Sequence, residues 1–188
     1  MKNTARNRLE GGRAVLCVVD VQEKLVPLMG SPGGWLPRIA TLVAAARRLE
    51  IPILATEQYS QRLGATLAEV GLTPRETRIE KMTFSCCGEA SFGQALRDLE
   101  REQVILCGIE AHICVQATAL DLLRAGYEVF VAADATASRL PHTQPLGLNR
   151  MAAAGAVLAS VESVIFECLD RGDDEAFKAL LPLLKELS

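Results

Sequence analysis

Short apolar runs alternate along this chain with segments of helical period. Ala14-Val15-Leu16-Cys17-Val18-Val19 is apolar at every position, the pattern of a strand covered on both faces. Residues 36–50 are rich in Ala and Arg at helical spacing, and Pro52 then introduces a second short strand over 53–56. A third strand is predicted over 78–83, although its apolar content is thin, and an amphipathic helix follows over 91–101. The clearest unit is a strand over 103–108, a helix over 114–124 and a stop at Gly126. The next strand covers 128–132 and ends at Asp134; a helix over 144–154 is closed by Gly155. Val157–Ala159 is a last short strand, with Ser160 placed to cap the helix after it. The tail over 173–187 starts acidic and ends near Lys185, as a helix dipole favours, with Pro182 inside it. Strands and helices alternating at this spacing predict an α/β fold, a three-layer αβα built on a doubly wound parallel sheet of about six strands.

Composition narrows the picture without changing it. The 188 residues suffice for one core, so residues 1–188 are read as a single domain, with 1–12 as a flexible leader. Aromatic residues make up only 4%, so that core must be aliphatic. Lys and Arg number 20 against 23 Asp and Glu, a net charge of -3 with the signs interspersed, which argues against a nucleic-acid partner. The first apolar run ends at Asp20 and is too short for export or for spanning a membrane, so the protein is read as cytoplasmic, with no membrane partner. Six cysteines occur without a C-x-x-C pair, and Cys17 and Cys107 lie inside apolar strands, where thiols act as small hydrophobes.

In a doubly wound sheet, functional groups gather beyond the carboxyl ends of the strands. That rule nominates Asp20 after the first strand, Lys81 near the end of the third, and Cys114 in the connection after the fourth. Each has a plainer reading: Asp20 as a helix cap, Lys81 as a surface charge, Cys114 as a buried thiol. Together they supply the parts of thiol catalysis. A free thiol with a pKa of ~8.5 is mostly protonated at neutral pH, and a helix N-terminus with a nearby ammonium is expected to lower that value. Asp20 would move the thiol proton, and backbone N–H groups before Cys114 would hold an oxyanion.

Those same residues carry a family resemblance. The segments VVDVQ (18–22), KMTFS (81–85), GIEAHICV (108–115) with Thr118-Ala119, and Gly126-Tyr127 through Asp134-Ala135 occur in order. In them the chain resembles the isochorismatase-like hydrolase superfamily, cysteine hydrolase branch, over nearly its whole length. Thr56-Glu57-Gln58-Tyr59 with Leu63-Gly64 resembles a narrower group, the isochorismatase domain-containing proteins. The resemblance implies strand order 3-2-1-4-5-6 and a catalytic triad of Asp20, Lys81 and Cys114, in which Lys81 orients Asp20 and holds it ionised. It also implies a cis peptide at Ile109–Glu110, oxyanion donors at the N–H groups of Glu110 and Cys114, and a homo-oligomer, dimer or larger.

Nicotinamidases of this superfamily have an Asp-x-His pattern and further histidines around a metal. This chain has Glu57-Gln58-Tyr59 there and only two histidines in all, so no metal and no cofactor are expected. His112 stands two residues before Cys114, but the resemblance gives the base role to Asp20 and leaves His112 as a pocket residue. Gln58, Tyr59 and Phe84 are the other candidates for a small-molecule pocket, and Cys86-Cys87 are read as a bland loop pair. The expected activity is hydrolysis of a small C–N amide through a Cys114 thioester. Two alternatives stand beside it: non-covalent hydrolysis of an enol ether with Asp20 as the acid, and a catalytically idle oligomeric binding protein.

Overall fold

Parallel strands cannot be joined by tight turns, so each crossover here carries a helix that covers one face of the sheet. The computed structural model describes residues 8–169, 171–173 and 175–185. Strands β1 (Ala14–Val19), β2 (Ile53–Gln58), β3 (Thr77–Lys81), β4 (Gln103–Ile109), β5 (Glu128–Ala137) and β6 (Val157–Ala159) form one sheet in the order β3-β2-β1-β4-β5-β6. Every neighbouring pair is parallel. The helices are α1 (Pro32–Arg48), the single turn α2 (Ser60–Leu63), α3 (Ala90–Asp98), α4 (Gln116–Ala125), α5 (Thr143–Ala153), α6 (Val161–Leu169) and α7 (Glu175–Lys185).

The two-residue period of β1 divides the core. Leu16 and Val18 pack with Ile39 and Leu42 of α1, Ile165 of α6 and Leu180 of α7. Val15, Cys17 and Val19 face the other way, onto Phe92 and Leu96 of α3, Leu122 of α4 and Met151 of α5. Both layers are mainly aliphatic, and a fully buried side chain of this kind contributes about 1.5–3 kcal/mol. Among the described residues no helix is long and apolar enough to cross a membrane.

The differences from the expected elements have local causes. Helix α1 starts four residues before the predicted 36, because Pro32 supplies a fixed φ at its first position. Strand β5 continues through Asp134 to Ala137, and a register shift against β4 between Leu106 and Gly108 absorbs the extra length. Of the expected leader, residues 1–7 lie outside the described residues. The part next to β1 is anchored rather than free: Leu9 is buried, and the Glu10 N–H donates to Gln103 Oε1 at 2.8 Å.

Strands β1 and β4 come closest where β1 ends. Gly108 has φ +112°, and a Cβ added there would meet the Val19 carbonyl oxygen at 2.1 Å. Both the torsion and the contact exclude a side chain. Replacing Gly108 by Ala should therefore destabilise the fold by about 3 kcal/mol, read as a lower urea midpoint. An unchanged midpoint would show that the strands can separate there without cost.

Candidate active site

The strand period aims several polar side chains into one layer. Lys81 lies two residues beyond Ile79 on the same face of β3, and Thr56 and Gln58 follow Leu54 on the same face of β2. Ile79 and Leu54 belong to the core layer that contains Cys86 and Cys114, so Lys81 and Thr56 are driven towards those thiols. Register aligns Gln58 with Lys81, and Val19 with both Thr56 and Gly108. Asp20, directly after β1, has φ 53°, and its N–H donates to the Thr56 carbonyl at 3.1 Å.

The Lys81 ammonium lies 2.7 Å from Asp20 Oδ2, and both side chains are at most 1% exposed. Its well-aligned donations go elsewhere, to Gln58 Oε1 at 2.6 Å and to the carbonyls of Thr83 at 3.1 Å and Phe84 at 3.2 Å. Oδ2 therefore sits against the positive charge but receives no aligned donor. Oδ1 is satisfied by the Thr56 hydroxyl at 2.7 Å. Burial pushes the ammonium towards neutrality, but the electrostatics of the cluster, led by the Asp20 charge, outweigh it and raise the Lys81 pKa.

Cys114 reaches this pair from the opposite side. It is not in the first turn of an α-helix, as expected, but in a π-helical turn, Ala111–Val115, after which α4 begins at Gln116. The π turn fits under α5 because Gly147 has no side chain; a Cβ there would lie 2.7 Å from His112 Cα. The Cys114 thiol is buried, and Asp20 and Lys81 are the charged groups that act on it. Its pKa is not lowered, as the sequence suggested, but pushed up to about 12. Burial is the largest cause, the negative charge of Asp20 adds to it, and Lys81 offsets only part. The resting nucleophile candidate is thus a neutral thiol next to a carboxylate that can accept its proton. The Ile109–Glu110 peptide is cis.

Comparison with known proteins follows the same outline. The family model described as the isochorismatase domain matches residues 14–163. The chain belongs to the isochorismatase family. Isochorismatase domain-containing protein 2 of Danio rerio is 36% identical over 178 residues, covering 94% of this chain and 89% of that protein. The MAR1 ribonuclease structure from Caenorhabditis elegans superposes with a TM-score of 0.89 at 33% identity, covering 95% of this chain and 92% of the other. YcaC from Pseudomonas aeruginosa, in a structure with hexane-2,5-diol and covalent acrylamide, gives a TM-score of 0.88 at 26% identity over 96% and 93% of the two chains.

Around this isochorismatase-family core the remaining predicted residues divide. Gln58 is a direct partner of Lys81, not a free pocket side chain. Tyr59 and Phe84 are exposed at the rim, where Tyr59 has Arg62 over its ring. His112 Nδ1 lies 2.8 Å from Ser138 Oγ and 3.2 Å from Thr143 Oγ1, which ties the π turn to the β5–α5 connection. Glu110 accepts the Arg139 N–H at 2.9 Å and braces the same connection. Among the described residues no cluster of His, Cys, Asp or Glu converges as a metal site requires.

Three contributors escaped the sequence reading. Gln22 is fully buried; its Nε2 donates to the carbonyls of Gln58 and Gly64, and its Oε1 accepts the Gln58 N–H. Thr56 holds Asp20, and Cys86, expected to be a bland loop residue, is buried behind Thr56 with Sγ 3.6 Å from its hydroxyl. Gln22 and Thr56 stand in the very segments that carry the resemblance, and an apolar-face count of β2 would have flagged Thr56 as a buried polar group needing a partner.

Two outcomes follow from this geometry. Lys81→Met leaves Asp20 buried without its counter-charge and should cost about 3–5 kcal/mol near pH 7. Adding Asp20→Asn should recover part of that loss, a coupling readable in a double-mutant cycle of urea midpoints; strictly additive losses would contradict the pairing. For the thiol, the difference in thiolate absorbance between wild type and Cys114→Ala should stay flat from pH 7 to 10. An ionisation centred near pH 7 would restore the pre-activated thiolate.

Proposed function

We propose that this protein is a cysteine hydrolase that cleaves the C–N bond of a small amide or related acyl compound through a thioester on Cys114. The observation that carries the reading is a neutral buried thiol acted on by a carboxylate whose Oδ2 lies against an ammonium yet lacks an aligned donor. A thiol proton can go to Asp20 as the sulfur attacks a carbonyl carbon. The electron pair of that carbonyl moves to oxygen, where the N–H groups of Glu110 and Cys114 are the proposed donors. Collapse of the tetrahedral adduct expels the nitrogen, which takes the proton back from Asp20. Water then adds to the thioester, with Asp20 again accepting a proton, and releases the acid and the free thiol. Lys81 keeps its charge throughout and orients Asp20.

The relative with covalent acrylamide supports this reading, since a bound amide-bearing electrophile in that protein requires a reactive nucleophile. A ribonuclease activity like that named for the Caenorhabditis elegans relative would need a surface that neutralises phosphates. The excess of acidic over basic residues here favours a small molecule instead. Self-association belongs to the same proposal, supported by the exposed Met82 and Phe84 beside the site.

The test is a panel of small primary and secondary amides assayed for ammonia or amine release and for acyl adducts by intact mass. Cys114→Ala should lose both adduct and turnover, with at least a thousandfold drop in kcat/KM. Turnover retained in Cys114→Ala but lost in Asp20→Asn would replace the thioester route by non-covalent acid catalysis.

A further inference from the structure

Asp20 Oδ1 ends a chain of buried hydrogen bonds that the proposed reaction does not use. Thr56 Oγ1 donates to Oδ1 at 2.7 Å. A threonine hydroxyl has one proton, so its oxygen can only accept from whatever lies behind it. There the Cys86 Sγ–H donates to Thr56 Oγ1 at 3.6 Å. The Cys86 N–H donates to Thr118 Oγ1 at 3.0 Å. Asp20, Thr56, Cys86 and Thr118 are each at most 1% exposed, so no bulk water competes for these groups.

The direction of this chain is fixed. The Cys86 proton points to Thr56, and the Thr56 proton to Asp20. Burial and the Asp20 charge both raise the Cys86 pKa, which keeps that thiol a donor. Among the described residues, Thr56 supplies the aligned donor to the Asp20 side chain. Lys81 cannot take its place, because its protons are directed to Gln58, Thr83 and Phe84.

We propose that Thr56, itself held by Cys86 and Thr118, is a positioning residue: it occupies Oδ1 of Asp20 and so leaves Oδ2 as the oxygen that receives the Cys114 proton. The inference rests on the Asp20–Cys114 reading above. Without the Thr56 proton, the carboxylate loses both its rotational anchor and a hydrogen bond that favours its ionised form. The rate of thiol attack should fall, and the acid limb of its pH profile should move upward.

Acrylamide is a suitable probe. The Cys114 sulfur bonds to its β-carbon, the thiol proton leaves through Asp20, and the α-carbon takes up one proton, so the adduct gains the mass of one acrylamide. The second-order rate at Cys114 is measured by intact mass and peptide mapping from pH 5 to 9, on the full chain. Thr56→Val should label at least tenfold more slowly, with its acid limb moved to higher pH. Thr56→Ser, which keeps the hydroxyl, should return to within about threefold of wild type. Cys86→Ala should shift in the same direction by a smaller factor, about two- to fivefold, and serves as the test if Thr56→Val does not fold. Thr56→Val with the wild-type rate and profile overturns the inference, as does equal slowing in Thr56→Val and Thr56→Ser with no change in the acid limb. Asp20→Asn labelling as fast as wild type overturns the base role itself, a failure distinct from that of Thr56.

Discussion

Two opposite charges buried under the carboxyl edge of the sheet dictate most of what surrounds them. Removing Lys81 and Asp20 from water costs several kcal/mol per ion unless every remaining polar direction is answered. The answers come from one strand and one loop: Thr56 and Gln58 on β2, and the carbonyls of Thr83 and Phe84 after β3. The loop after β3 must fold back so that two carbonyls reach the ammonium. Glu89 holds it there, accepting the N–H groups of Met82 at 2.9 Å and Thr83 at 3.1 Å, and Gly88 leaves room for the Thr83 side chain. Gln22 then locks Gln58 from behind with three hydrogen bonds of its own, one of them to Gly64. The ion pair is therefore a constraint on backbone as well as on side chains.

That constraint explains which parts of the molecule were legible in the sequence. β1 and β4 sit at the sheet's centre with both faces covered, so their apolar runs announce them at nearly the observed boundaries. β3 is an edge strand that buries Ile79 and Lys81 and exposes Thr77, Arg78 and Glu80, which is why it reads as thin. Spacing said nothing of the order β3-β2-β1-β4-β5-β6; the family resemblance supplied it. Asp20, Lys81 and Cys114 were visible because each lies at or beyond the carboxyl end of a strand, a position that topology ties to one edge.

Burial and backbone form were not legible. A list of neighbours in sequence shows that Cys114 has an ammonium and a helix nearby, but not that the thiol loses its water. Desolvation is the largest cause acting on that thiol, so its sign reversed the expectation. The π turn at Ala111–Val115 likewise has an ordinary helical composition, and only its packing against Gly147 distinguishes it. Cys86 is the third case. Next to Cys87 it looks like a loop residue, and its place in a chain ending on Asp20 depends on contacts with residues 30 and 32 positions away.

A neutral resting thiol also suits a buried site better than a pre-formed thiolate would. Before attack, the site contains one carboxylate and one ammonium. In the proposed reaction, when the sulfur bonds to a carbonyl carbon and Asp20 takes the proton, the negative charge would move to the substrate oxygen while the ammonium stays. The net charge of the pocket is the same before and after, so no new ion is created where solvation is poorest. A thiolate beside Asp20 would instead place two negative charges against one Lys81, and the raised Cys114 pKa expresses that cost. The high pKa is thus compatible with catalysis, provided that proton transfer and attack are coupled. With Oδ1 held by Thr56, Asp20 keeps one oxygen without an aligned donor, as the proposed coupling requires.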